Sequence, residues 1–342
     1  MRFVLSDLFS SQPDMEVVGT AEDGIEALEL VEQTDPDVIS LDVEMPRMDG
    51  LTMLEKLMEE HPLPVVMFSS FTREGSQITM RALELGAVDF VPKPLGKLAL
   101  TMGDIKDELI QKVRTAAAVD VSKLRKSLPQ KTQLRPTEEL TEHVRSIKSS
   151  RIELKRVVVI GCSTGGPNAL STVLAAIPED IPAGFIVVQH MPAGFTRSLA
   201  ERLDSISPLV VKEAEEEDRV RSGLVLVAPG DYHLQVGRRG IIHIFRGPQV
   251  CNVRPAADIT MESVARVFKD KTIGVVLTGM GEDGAKGGSL IKAAGGLTIA
   301  EHESTCIVYG MPAALIETGN ADLVLPVHEI GSALVDTIEK RG

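Results

Sequence analysis

The sequence has no tryptophan, two tyrosines and an aromatic content of 3%. A core with so few rings must be filled by Val, Ile, Leu, Ala and Met. That palette suits strands that read as continuous aliphatic runs in parallel sheets covered by helices. Cysteine is equally sparse. Cys162, Cys251 and Cys306 are the only three, with no Cys-x-x-Cys spacing, which excludes a disulfide framework and fits a reducing, cytoplasmic compartment. No run of 18 apolar residues occurs, so no membrane-spanning helix is expected. The opening MRFVLSDLFSSQPD lacks the architecture of a signal peptide. The seven histidines are scattered without zinc-ligand spacing. Positive charge is in deficit: the net charge is −13, which disfavours a grip on nucleic-acid phosphates. The densest acidic run, EAEEED (Glu213 to Asp218), reads as a solvated face.

What is present is strand–helix alternation on both sides of a polar middle. The 342 residues suit two domains at roughly 100–200 residues each. In the first half, EVVGTA (Glu16 to Ala21), DVISLDV (Asp37 to Val43), PVVMFSS (Pro64 to Ser70) and AVDFVPKP (Ala87 to Pro94) read as strands. GIEALELVEQ, LTMLEKLMEEH and QITMRALELG read as helices, and a last helix runs to about Ala118. From Val119 to about Lys155 the pattern fades into Lys, Arg, Ser, Thr and Gln, interrupted by Pro129 and Pro136, as in a linker. The second half restarts with RVVVIG and continues through strands GFIVVQH, LVLVAP, IIHIF, TIGVVLTG and LTIAE with helices between most of them. The expected division is therefore 1–118, a 119–154 linker, and 155–342, with an α/β fold and a mainly parallel sheet in each globular half.

Ligands of open α/β sheets gather at the carboxyl ends of strands. In the first half Asp42, Ser69 or Ser70, and Lys93 hold such positions. A carboxylate, a hydroxyl and an ammonium group together can accept and surround a phosphoryl group: Asp42 as nucleophile, Ser69 and Lys93 as contacts to the phosphoryl oxygens. With LDVEMPRMDG around Asp42, the first half resembles the response-regulator receiver family over about Met1 to Ala118. The resemblance implies a flavodoxin-like domain, phosphotransfer to Asp42 from a histidine kinase, and Mg²⁺ at Asp42. One departure is large: the first strand of a receiver, with the acidic pair that holds Mg²⁺, has no counterpart here. That strand belongs between EVVGTA and DVISLDV, and without it two inner edges lose their partners. We expect the natural start to lie upstream, with Met1 internal; the alternative is a receiver that is not phosphorylated.

In the second half, VVVIGCSTGGPNAL is a strand, a Gly-rich turn and a helix. Gly161, Ser163 and Gly165 fit G-x-S-x-G, a shape that lifts a serine hydroxyl above a sheet. A Gly-rich anion-binding turn is the competing interpretation of the same residues. His190, in QHMPAGFT, ends the next strand and could serve as base. VVLTGMGEDG supplies a third strand end, with Asp283 preferred over Glu282 as the residue that orients His190. Backbone N–H groups near Met280 and Thr164 are candidate oxyanion donors. The order Ser, His, Asp differs from that of α/β-hydrolases. Cys162 reads as a small buried residue, since nothing basic adjoins it in sequence.

IGCSTGG, QHMPAGFT, APGDYH, LTGMGEDG and YGMPAAL together resemble the chemotaxis protein-glutamate methylesterases, over nearly the whole chain and in the same order. The resemblance implies two doubly wound parallel-sheet domains, the receiver joined by a linker to a Rossmann-like esterase domain. It implies Ser163 as nucleophile, His190 as general base and acid, Asp283 as orienter and the Met280 N–H in the oxyanion hole, with no cofactor for the esterase. The implied substrates are glutamate γ-methyl esters, and some glutamines, of methyl-accepting chemotaxis receptors. A chemotaxis histidine kinase is the implied phosphodonor, and the unphosphorylated receiver is expected to cover the esterase cleft. Three rival classes remain at this stage: a phosphorylation-dependent adaptor, a nucleotide-binding domain using GCSTGG, and a DNA-binding output domain, which the acidic balance disfavours.

Overall fold

Nearly all of the aliphatic runs become strands of parallel sheets. The computed structural model describes residues 2–93, 102–123 and 152–340. The chain divides into two compact units, Met1–Leu128 and Pro129–Gly342. Most of the expected linker, 124–151, lies outside the described residues, as does Pro94 at the end of the expected AVDFVPKP strand.

The first unit runs α1 (Arg2–Ser10), α2 (Gly24–Thr34), β1 (Ile39–Asp42), α3 (Gly50–Glu60), β2 (Val65–Ser69), α4 (Arg73–Glu84), β3 (Asp89–Pro92) and α5 (Met102–Ala117). Its strands pair in the order β1-β2-β3, all parallel, with Leu41 opposite Met67 and Phe68 opposite Val91. Helix starts are fixed by side chains that satisfy free N–H groups. The Asp23 carboxylate accepts from the N–H groups of Ile25 and Glu26, Asp49 from Thr52, and Thr72 from Gly75. Val65, Val66 and Met67 of β2 and Met53, Leu54 and Leu57 of α3 are fully buried and form the core. Beside it Lys112 of α5 donates to Asp89 Oδ1 at 3.1 Å and to the Phe90 carbonyl at 2.7 Å.

EVVGTA does not form the expected strand. Residues 16–21 form no regular element and join no ladder. A strand is held by the N–H and C=O groups of its neighbours, and among the described residues none lies between this segment and β1. A cavity of about 810 Å³ occupies that place, lined among others by Phe9, Val17, Gly19, Ile39, Leu41 and Val113.

The second unit runs β4 (Arg156–Cys162), α6 (Gly166–Ala175), β5 (Ala183–Gln189), α7 (Phe195–Ile206), β6 (Val210–Glu213), β7 (Leu224–Val227), β8 (His233–Val236) and β9 (Ile242–Phe245). It continues with α8 (Ala257–Phe268), β10 (Thr272–Val276), α9 (Ala285–Ala293), β11 (Leu297–Glu301), α10 (Met311–Glu317), β12 (Leu323–Leu325) and α11 (Val327–Lys340). Seven strands form one sheet in the order β12-β11-β10-β4-β5-β7-β6, parallel throughout. Val157 to Ile160 of β4 and Phe185 to Val188 of β5 have no exposed surface, the signature of central strands covered on both faces.

One expectation changes. IIHIF is β9, which pairs antiparallel with β8 in a separate two-stranded sheet. His233 begins β8, is fully buried, and bonds through Nε2 to the Pro248 carbonyl at 2.8 Å. The short strands β6 and β12 were not legible as separate runs. The charges of EAEEED are spent on a strand end and a surface turn, where Glu216 meets His243 Nδ1 at 3.0 Å.

Candidate active site

Strand order reverses at β4. The chain leaves β4 for β5 on one side, while β10 lies on the other. A crevice outside the carboxyl ends of the strands at such a point is where open α/β sheets bind ligands. Ser163 directly follows β4, His190 directly follows β5, and the segment holding Met280 and Asp283 follows β10.

Hydrogen bonds continue past the strand ends and fix these residues. The N–H of Leu277 donates to the Gly161 carbonyl at 2.9 Å, that of Ser163 to the Thr278 carbonyl at 3.0 Å, and that of His190 to the Cys162 carbonyl at 3.1 Å. Gly279 is thereby laid against Ser163. A Cβ at Gly279 would stand 2.8 Å from Ser163 Cβ and 2.4 Å from Met311 Sδ, so this position must be glycine. Gly165 has φ +80° and caps the start of α6, so the turn after Ser163 runs directly into a helix N-terminus.

His190 Nε2 lies 2.8 Å from Asp283 Oδ2, with both side chains nearly excluded from water. Asp283 is held in turn by the N–H groups of Ala257 at 2.6 Å, to Oδ2, and Asp258 at 2.9 Å, to Oδ1. Its position is over-determined by the start of α8. Asp283 rather than Glu282 is the partner; Glu282 is exposed. With Nε2 donating to Asp283, the unprotonated nitrogen is Nδ1. Neither His190 Nδ1 nor Ser163 Oγ makes a hydrogen bond among the described residues. Nucleophile–base contacts of this kind commonly tighten only with substrate bound.

Three supports were not read from the sequence. Gln189 Nε2 donates to the Ser163 carbonyl at 2.9 Å, and its Oε1 accepts from Cys162 Sγ at 3.0 Å. The buried Glu301 carboxylate accepts from the Thr278 N–H at 2.8 Å. Asp258 Oδ1 accepts from Gly284 and Gly287 at 2.9 and 2.7 Å, so the loop carrying Asp283 and the helix that braces it hold each other. A carboxylate at the start of an apolar helix was the available signal for Asp258. Burial, with Glu301 nearby, pushes the Cys162 thiol well above its usual range. It is therefore a neutral packed group and not a second nucleophile. Thr164 is buried one residue after Ser163, and Met280 is exposed one residue after Gly279.

In the first unit the structure joins Asp42 and Lys93 but turns Ser69 away. Lys93 Nζ lies 2.7 Å from Asp42 Oδ1, which also accepts from the Glu44 N–H at 2.9 Å. The fully buried Ser69 hydroxyl donates to the Gly75 carbonyl at 3.1 Å and accepts from Thr79 Oγ1 at 2.7 Å. Ser70 Oγ is 3.3 Å from Thr72 Oγ1. Gly50 of MPRMDG is required by space, since a Cβ there would lie 2.0 Å from the Asp42 carbonyl. For a Mg²⁺ ion the nearby acids are Asp42 and the exposed Glu44, both within reach of Lys93. Asp23 is spent on capping α2 and on an ion pair with Arg47. Among the described residues no group of three acidic, histidine or cysteine ligands forms here. The residues described do not by themselves fit an ion that demands near-octahedral oxygen ligation.

A serine at a strand-to-helix turn, a histidine–aspartate pair across the switch point and a glycine-lined approach define the second unit as a hydrolase-type α/β domain. The comparisons agree with that class. Residues 158–334 match the family model for CheB methylesterase, and residues 1–102 that for the response regulator receiver domain. Over 345 residues the chain is 50% identical to a protein-glutamate methylesterase/protein-glutamine glutaminase of Symbiobacterium thermophilum, covering 99% of this chain and 94% of that protein. A namesake from Pyrococcus abyssi is 48% identical over 99% of this chain and 91% of its own. The crystal structure of the Thermotoga maritima CheB methylesterase catalytic domain superposes with a TM-score of 0.52 at 49% identity, covering 53% of this chain and 98% of that one. This chain belongs to the CheB methylesterase family, with a receiver domain at its N-terminal end.

Proposed function

We propose that the chain hydrolyses glutamate γ-methyl esters of methyl-accepting chemotaxis receptors, and deamidates particular receptor glutamines, under control of phosphorylation in the receiver. The observation that carries this reading is the His190–Asp283 pair at 2.8 Å beside Ser163 at the switch point. Ser163 Oγ attacks the ester carbonyl as His190 Nδ1 takes its proton. The carbonyl oxygen becomes an oxyanion, for which the N–H groups of Met280 and Thr164 are the proposed donors. Methanol leaves with the proton from His190, and water then cleaves the glutamyl-Ser163 ester by the same route. Asp283 keeps the imidazole in the tautomer with hydrogen on Nε2 and stabilises the imidazolium. These steps use side chains and backbone alone.

The proposed boundaries are a receiver to residue 118, a linker over 119–154 and the catalytic domain from 155. Asp42 is the proposed phosphoacceptor, with Lys93 already paired to it. Ser69 would contact the phosphoryl group only after its hydroxyl leaves Gly75 and Thr79. A cytoplasmic histidine kinase of a chemotaxis pathway is the proposed donor, and Mg²⁺ is the ion that receivers ordinarily use. No helix among the described residues is long and apolar enough to cross a membrane, in keeping with a substrate presented by receptors rather than with insertion of this chain. Methanol release from methylated receptor membranes tests the reading, with and without a small-molecule phosphodonor. Release that rises with the donor, and an Asp42→Asn chain that keeps the basal rate but loses the rise, are expected. A folded chain that releases no methanol would return the weight to a non-enzymatic adaptor.

A further inference from the structure

Cys162 closes β4 and Gln189 closes β5, and the two residues stand opposite each other in the parallel pair. Ser163 and His190 are the next residue on each chain. Gln189 is 2% exposed, and both ends of its amide are engaged. Nε2 donates to the Ser163 carbonyl at 2.9 Å and, in a longer bond, to the His190 carbonyl at 3.4 Å. Oε1 accepts from Cys162 Sγ at 3.0 Å. The surroundings fix which way the amide faces, because the two carbonyls can only accept and the thiol can donate. One NH₂ group with two hydrogens thus joins the main chain of the nucleophile to that of the base.

The turn makes room for this side chain. G-x-S-x-G accounts for Gly161, Ser163 and Gly165 but not for Gly166, where a Cβ would collide with Gln189 Oε1. The Ser163 carbonyl also accepts from the Gly166 N–H at 2.8 Å, and the Ser163 N–H donates to the Thr278 carbonyl at 3.0 Å. The main chain of Ser163 is therefore anchored on both sides, and Gln189 is the anchor that also reaches the base. Ser163 Oγ and His190 are not hydrogen-bonded to each other, so their approach is set by how the chains that carry them are held. We propose that Gln189 is a positioning residue, whose amide fixes the approach of Ser163 Oγ to His190 for proton transfer; this rests on the function proposed above. Gln189 acts through the two carbonyls and not on the reacting atoms. Its loss should therefore appear in the chemical step and leave substrate binding as it was, since a misplacement of about 1 Å can cost about 100-fold in rate.

The test compares Gln189→Met with Gln189→Glu in the full chain. Methionine fills the space of the amide and offers no donor; Gln189→Leu takes its place if that chain does not fold. A glutamic acid at this buried position is held protonated, because burial disfavours the carboxylate, and its O–H can replace one amide hydrogen. In Gln189→Met, kcat for methanol release should fall about 100-fold with KM unchanged. Gln189→Glu should regain about tenfold or more of that loss, measured against wild type at the same pH, and the gain should fade as rising pH ionises the carboxyl. The ratio of Gln189→Met to wild type should not change with pH. A folded Gln189→Met chain with wild-type kcat, a rise in KM in place of the fall in kcat, or equal deficits in both variants at every pH would overturn the proposal. Equal deficits are what lost packing alone would give. Labelling of Ser163 by a serine-reactive phosphonate ester reads the same proton transfer without a receptor. Labelling rates in the expected order, in a wild type that releases no methanol, would uphold the positioning role and sink the methylesterase reading alone.

Discussion

In the seven-stranded sheet the three strands that carry the candidate site, β10, β4 and β5, each have a strand on both sides; in the three-stranded sheet Asp42 ends a strand with a neighbour on one side only. The difference is one of how firmly each unit holds its chemistry. Ser163, His190 and the β10 extension are pinned by main-chain bonds that continue the ladder beyond the strands, and Asp283 by two further N–H groups. Asp42 is half-exposed and is held by one backbone N–H and a lysine. A rigid constellation suits acyl transfer, which gains from fixed geometry. A partly solvated carboxylate with a cation beside it suits the phosphoacceptor role proposed for Asp42.

The largest expected effect is on the pinned side. Ser163→Ala should lower the rate of methanol release by about 10⁴-fold or more while phosphorylation of the chain, followed by phosphate incorporation, continues unchanged. Next, Gly279→Ala forces a Cβ against Ser163 and Met311. It should cost about 1–3 kcal/mol in the second unit's denaturation midpoint and about 100-fold in turnover through displacement of the nucleophile. In the first unit, Lys112→Met removes the cation that Asp89 and Glu108 share. It should destabilise that unit by about 3 kcal/mol, seen as a lowered first transition in urea with the second unmoved.

The smallest effect concerns Asp322, which caps the β11–β12 edge through the Thr298 N–H at 3.0 Å and an ion pair with Lys292. Burial raises its carboxyl pKa, but the bonds to Lys292 and Thr298 outweigh this and hold it below the usual carboxylate range. Its contribution is therefore present at neutral pH and lost as pH falls through that lowered value. Asp322→Asn should cost no more than about 1 kcal/mol at neutral pH, and the difference from wild type should shrink in acid melts.

The candidate site was legible because its residues sit at strand ends marked by glycine. G-C-S-T-G-G, Q-H-M-P and G-E-D-G each announce a sharp exit from a buried aliphatic run. The catalytic fold was legible for the same reason, since fully buried strands such as RVVVIGC have no polar face to confuse the period. Residues whose role is set by a distant partner were not legible. Nothing in sequence ties Asp258 to Gly284 and Gly287, or Gln189 to Ser163, because helix starts and strand ends meet only after the sheet closes. EVVGTA failed for a related reason: its β-branched pattern fits a strand, but a ladder needs a neighbour. IIHIF has the same pattern as the sheet strands, and only its hairpin partner HLQV sends it elsewhere. Ser69 was placed correctly at a strand end, yet alternation along the strand turns its hydroxyl towards α4.

The most direct test of the account is to treat the full chain with a serine-reactive phosphonate ester and map the adduct by peptide mass spectrometry. The account predicts a single stoichiometric adduct on Ser163, much slowed by His190→Ala and absent from Ser163→Ala, with loss of methanol release in proportion to labelling. Labelling elsewhere with turnover intact, or full methanol release from Ser163→Ala, would contradict it.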